Sequence, residues 1–213
     1  MTGAKILKRI IKPIVFALSL SPIAYLLYAG LTGGLGADPI RDITQETGVW
    51  TLRYIAATLS ITPLRKLTGW NPLSQLRRML GLFAFFYVCL HFTTYIWLDQ
   101  FFDWHSIVKD IGKRPFILVG FSSFVLLIPL AITSFKALMI KLGGKRWKWL
   151  HRLVYLTALG GVIHYYWLVK ADTRRPIIYG IIIAMLLGFR IWDFVRRKYL
   201  QPLPIKHSVF DSM

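Results

Sequence analysis

A single cysteine, Cys89, stands among 213 residues, so the chain alone can build no disulfide framework, no cysteine-rich zinc site and no iron–sulfur site. Acidic residues are also scarce, with nine Asp and Glu against 27 Lys and Arg. In a soluble protein that imbalance would point to nucleic acid. Here, however, 55% of the residues are hydrophobic, and they gather into long blocks instead of alternating with the charges. A membrane protein accounts for both facts, because cations collect in loops that face anionic headgroups; a nucleic-acid partner is not required. No repeat or low-complexity tract interrupts the blocks. There is no glycine-rich dinucleotide fingerprint either, which argues against oxidation of a nicotinamide cofactor by this chain unaided.

What is present is a series of apolar runs. About 20 such residues cross a ~30 Å hydrocarbon core as a helix, and six runs qualify, roughly 10–31, 47–64, 79–98, 115–134, 149–169 and 176–195. The expected fold is therefore an all-α membrane protein, a single domain over 1–213 built as a bundle of about six transmembrane helices. Arg53, Thr and Ser dilute the second run. The first follows Lys5, Lys8, Arg9 and Lys12 and so resembles a signal peptide, but it is long for one, lacks a small-x-small cleavage site and precedes five more runs.

Cations between the runs set the orientation. The N-terminus, the loop before Met79, the loop before Trp149 and the tail with Arg196, Arg197, Lys198 and Lys206 together hold 17. The three alternate loops hold 7, namely Arg41, Lys109, Lys113, Arg114, Lys170, Arg174 and Arg175. The expectation is a multi-pass protein of a bacterial inner membrane with both termini cytoplasmic. Tryptophans near the run ends suit the headgroup belt.

Three of the five histidines fall within the apolar runs, His91 in the third and His151 and His164 in the fifth. Ionisable groups at membrane depth are costly and usually functional; interhelical hydrogen bonding is the plainer reading. His91 and His164 both belong to the outer half of their spans. Two imidazoles at matching depth on separate helices meet the requirement for axial ligation of a b-type haem, which predicts haem held between the third and fifth helices. Gly160 and Gly161, one turn before His164, would clear room for a flat macrocycle or simply allow close helix packing.

His151 lies near the cytoplasmic end, where no second histidine matches its depth; Arg78, with Arg77 beside it, occupies the corresponding position just before the third run. His151, Arg77, Arg78 and Arg152 would form an inner cofactor site, for haem propionates, a flavin phosphate or a quinone carbonyl, with positive-inside anchoring as the other reading of the arginines. His151 is thus a third candidate metal ligand, and the haem count is one or two. His105 and His207 read as solvated. A proton-coupled transporter relaying protons through the histidines is a rival class, but it calls for acidic partners at depth, and the runs contain only Asp193, at an end.

The residues also resemble a family. Gly34-Leu35-Gly36-Ala37-Asp38-Pro39, Thr47-Gly48, Leu59-Ser60-Ile61-Thr62-Pro63-Leu64-Arg65, Arg77-Arg78-x-Leu80-Gly81-Leu82, His91, Trp147-x-x-Leu150-His151-Arg152-Leu153-x-Tyr155 and His164-Tyr165-x-Trp167 are together similar to MsrQ (formerly YedZ), the haem-binding membrane subunits of periplasmic methionine sulfoxide reductase systems. More distantly, the two-helix histidine layout is similar to the transmembrane domain of ferric reductases and NADPH oxidases, which carry four ligands for two haems; Arg78 stands in the fourth place here. The resemblance implies an electron-transfer subunit with no substrate-turnover site of its own. It would take electrons from the quinone pool or a cytoplasmic flavin reductase and pass them to a periplasmic molybdopterin reductase of the MsrP type, which repairs oxidised methionine in proteins. It also implies flavin mononucleotide (FMN) as a second cofactor.

Overall fold

The structure, a computed structural model, describes residues 2–199 and is all helix and connections, with no strand among them. His207 and Lys206 lie outside the described residues. The helices are α1 (Gly3–Thr32), α2 (Pro39–Thr68), α3 (Asn71–Asp99), α4 (Trp104–Lys113), α5 (Pro115–Ile132), α6 (Lys136–Leu142), α7 (Gly144–Leu150), α8 (Leu153–Leu168) and α9 (Arg174–Tyr199). Four of them, α1, α3, α5 and α9, are long and apolar enough to cross a membrane, and the protein is an all-α membrane protein. The second and fifth expected runs form α2 and α8. The first of these is long but diluted by polar residues, and the second has only 16 residues.

Helix boundaries follow local chemistry. Asp38 caps α2, its carboxylate accepting from the Arg41 amide at 3.1 Å, and Pro39 occupies the first turn, where its missing N–H costs nothing. The helix therefore begins well before the apolar run it contains. Gly33, Gly69 and Gly143 take φ of 70°, 68° and 77° and end or separate helices, a conformation that other residues adopt with strain. Asp103 caps α4 through the Ser106 hydroxyl and amide; those two bonds hold its carboxyl below the ordinary aspartate range.

Packing organises the helices into two pairs. α2 and α3 lie along one another, as do α5 and α8, and the pairs meet through lighter contacts of α3 with α5 and of α2 with α8. The result is a ring of four helices in which α3 and α8 are diagonal. α9 packs outside α2 and α8, and α1 outside α2 and α3. Arg53, inside α2, lies over the Trp50 ring at 4.3 Å and donates from Nε to the Tyr179 hydroxyl at 2.9 Å, so the charge is partnered by a π face and an oxygen. Asp193 is paired with Lys66 and Arg197.

Tyr87, fully buried, ties α1 to the core. Its hydroxyl donates to the Ser19 carbonyl at 2.8 Å and accepts from the Ile23 amide at 3.3 Å. Those two groups are an i, i+4 pair flanking Pro22, whose ring disturbs a helix interior. The tyrosine oxygen stands between them, so the opened turn keeps both groups hydrogen-bonded in an apolar setting.

Candidate functional site

The helix ring encloses a cavity of ≈ 1070 Å³, at or above the upper end of ordinary cofactor and ligand sites, about 300–1,000 Å³. Its depth is apolar, with Ile55, Val88, Phe121, Phe124 and Leu127 in the wall. Its mouth lies at the end carrying the 33–38, 99–103 and 169–173 connections. There the lining turns charged, with Asp38, Arg41, Asp99, Arg114, Lys170, Asp172 and Arg175.

His91 from α3 and His164 from α8 both line this cavity. Their ring centroids are 6.1 Å apart and the ring planes stand at 80°. His91 Nδ1 is 2.8 Å from the Thr44 carbonyl oxygen of α2, and His164 Nδ1 is 2.6 Å from the Phe116 carbonyl oxygen of α5. A carbonyl only accepts, so each Nδ1 carries the proton and donates. In its neutral form each ring then has its lone pair on Nε2, the arrangement typical of an imidazole that ligates metal. Neither ring is hydrogen-bonded to a carboxylate, which is the partner a proton relay would use. Among the described residues no three His, Cys, Asp or Glu gather around one point. The described residues therefore supply two donors at this site, enough for a metal whose other ligands come from a macrocycle.

The remaining sequence-derived residues are placed differently. His151 sits in the turn between α7 and α8, not inside a continuous helix as the run 149–169 suggested. Its Nε2 is 3.0 Å from Thr133 Oγ1, and the Trp147 ring stacks on it at 4.1 Å while donating from Nε1 to the Thr133 carbonyl. These bonds to the end of α5 hold α7 in place and break the helix there. Arg77 donates to Thr62 Oγ1 at 3.0 Å, and Arg190 of α9 reaches the same oxygen at 3.1 Å and the Leu59 carbonyl at 2.8 Å. Both guanidinium groups retain a buried Nε with no partner. Arg190 also lies 5.3 Å above the Tyr155 ring. Arg78 and Arg152 are exposed, and His105 is exposed on α4. The structure thus brings His91 and His164 together and leaves His151 and Arg77 in separate contacts at the opposite end of the bundle, where Arg190 joins Arg77.

Sequence reasoning singled out Gly160 and Gly161, which divide. Gly160 faces the Ser123 side chain of α5, a packing contact, whereas Gly161 lines the cavity opposite Leu52. It gave no site role to Gly48, noted only within the Thr47-Gly48 motif, or to Gly120, and both lie directly against the two imidazoles.

Comparison with known proteins identifies the family. Residues 47–162 match the family described as "Ferric reductase like transmembrane component", a segment that contains α3, α5 and most of α2. A Herminiimonas arsenicoxydans protein named "Protein-methionine-sulfoxide reductase heme-binding subunit MsrQ" is 56% identical over 192 residues, 89% of this chain and 88% of the relative. The chain belongs to the MsrQ family. Proteins of the same name from Azospira oryzae and Rhodospirillum rubrum are 51% identical over 87% of this chain and 80% of theirs, and 48% identical over 93% and 97%. No solved structure matches. Membership in MsrQ and in the ferric reductase-like group supports an electron-transfer role.

Proposed function

We propose that this chain is the haem-binding, electron-transferring subunit of a methionine sulfoxide reductase system. In this reading it passes electrons from a quinone-level or flavin-reductase donor to a soluble molybdopterin-dependent reductase beyond the outer face of a bacterial inner membrane. The observation that carries the reading is the His91–His164 pair. Two imidazoles bound through Nε2 on opposite sides of one iron place their centroids about 6 Å apart, given metal–nitrogen bonds of about 2 Å and a ring radius of about 1.1 Å on each side. The observed 6.1 Å suits that spacing, and the apolar cavity around the pair suits a porphyrin. When bound, haem supplies a one-electron carrier.

The chain's own residues then have distinct tasks. His91 and His164 would hold the iron. Thr44 and Phe116 carbonyls keep both imidazoles in the Nδ1–H tautomer and raise the basicity of Nε2. Isoleucine, leucine and phenylalanine in the wall exclude water, and Arg41, Arg114, Lys170 and Arg175 at the mouth offer cations to propionates. The cation excess in the tail and alternate loops supports a mouth facing outward and termini in the cytoplasm, and a haem held by His91 and His164 would then serve as the exit relay. At the opposite end Arg77, with Arg190 drawn to the same threonine, and His151 with Arg78 and Arg152 form the electron-input region, for an anionic cofactor such as FMN, a quinone headgroup or a second haem.

The reading is tested first by spectroscopy of the purified chain. A Soret band that sharpens and shifts on reduction is expected; a transporter or scaffold would show none. His151→Ala and Arg77→Ala are expected to slow haem reduction by the donor about tenfold or more while the outer haem is retained, a loss of the size that removing a metal site's supporting groups produces. Stopped-flow absorbance with parallel haem assay separates rate from content, and equal loss of both would remove these residues from the input role.

A further inference from the structure

The two candidate ligands are held in the same way. His91 donates to a carbonyl on α2, at Thr44, and lies over Gly48, four residues on. His164 donates to a carbonyl on α5, at Phe116, and lies over Gly120, also four residues on. Four residues is about one helical turn, so carbonyl and glycine lie on one face, one above the other. A methyl group placed on Gly48 would come within 3.0 Å of His91 Nδ1 and Cε1, and one on Gly120 within 2.6 Å of His164 Nδ1. The second distance is below any normal contact, and the obstructed group is a ring pinned by its own hydrogen bond. Glycine otherwise weakens a helix interior relative to alanine, and neither position has an unusual backbone angle. What glycine provides here is room for the imidazole edge.

We propose that Gly48 and Gly120 are positioning residues, a matched pair of seats that fix the height and rotation of the His91 and His164 rings and so set the 80° angle between them. The proposal rests on the reading of those histidines as axial haem ligands. Perpendicular axial imidazoles leave the two iron d-orbitals that mix with them nearly equal in energy, which gives a strongly anisotropic low-spin signal in electron paramagnetic resonance (EPR). Turning one ring towards the other splits those orbitals and makes the signal rhombic.

The test uses the oxidised, haem-loaded full chain and four variants. Gly120→Ala is expected to move the signal towards rhombic form, shift the midpoint potential and weaken haem retention by about ten- to a hundredfold, as loss of a ligand's supporting bond does. Gly48→Ala, with its longer approach, is expected to cause a smaller change of the same kind, and it decides the matter if Gly120→Ala does not fold. Gly160→Ala meets the Ser123 side chain, and Gly188→Ala meets no atom within 4 Å; both should leave the signal unchanged, the former reporting disturbed packing alone. An unchanged signal in both Gly48→Ala and Gly120→Ala, or an equal change in Gly160→Ala, overturns the seats while leaving the haem assignment intact. Absence of a bis-histidine low-spin signal in the unaltered protein overturns the haem assignment, and the seats with it.

Discussion

His91→Ala and His164→Ala are each expected to eliminate the low-spin haem spectrum, the largest single-residue effect this structure predicts. The expectation follows from the count of donors. The cavity holds two imidazoles, and among the described residues no third His, Cys, Asp or Glu clusters with them to replace a lost ligand. The wall nearby is aromatic and aliphatic. Truncation to alanine leaves at best a five-coordinate iron, which is high-spin and spectrally distinct. The fold should survive, because each ring's polar tie is one hydrogen bond to a helix carbonyl, worth roughly 1 kcal/mol net, and the helix pairs are held by packing elsewhere. The measurement is the reduced-minus-oxidised spectrum at equal protein, with circular dichroism as the control for helix content. Full-intensity low-spin haem in both variants would falsify the ligand assignment.

The second large effect is directional. In oriented proteoliposomes containing reduced haem, the oxidised soluble reductase is expected to reoxidise haem when added on the side of the cavity mouth and to do nothing from the other. The cavity opens among the 33–38, 99–103 and 169–173 connections, and its charged rim is the surface through which an electron has the shortest way out. From the opposite end most of a membrane core of ~30 Å separates the pair from solvent. Methionine sulfoxide should accordingly be reduced only when donor, vesicles and soluble partner are all present. Equal reoxidation from either face, or none from both, would sink the outward conduit.

Much of the site was legible because membrane burial simplifies the code. An imidazole in an apolar run is conspicuous, and counting residues inward from each end was enough to pair His91 with His164. The family motifs were legible too. The boundaries of α2 were partly so: Asp38-Pro39 is an ordinary capping signal, but hydropathy alone starts the helix several residues late. The break at His151 was not legible, since it depends on Thr133, eighteen residues earlier, receiving both the His151 ring and the Trp147 indole. Nor was the meeting of Arg77 with Arg190, which α3 and α9 bring to Thr62 of α2. Gly48 and Gly120 carried a signal only in hindsight. A glycine inside a helix announces a close approach but not the partner, and Gly160, equally plain in sequence, faces Ser123 instead.

The division of the ring into two tightly packed pairs bears on how the protein comes to exist in a membrane. α2 and α3 are consecutive, joined across residues 68–71, so the first pair can assemble as soon as both helices have left the insertion machinery. α5 and α8 follow with only two short helices between them. Each histidine finds its carbonyl within its own pair, His91 on α2 and His164 on α5, so neither hydrogen bond requires the other pair. Side-by-side association of preformed helices is the usual second stage of membrane protein assembly. A haem held between His91 and His164 would sit at the joint between the two pairs, and a shortage of haem is expected to leave inserted, half-joined chains rather than unfolded ones.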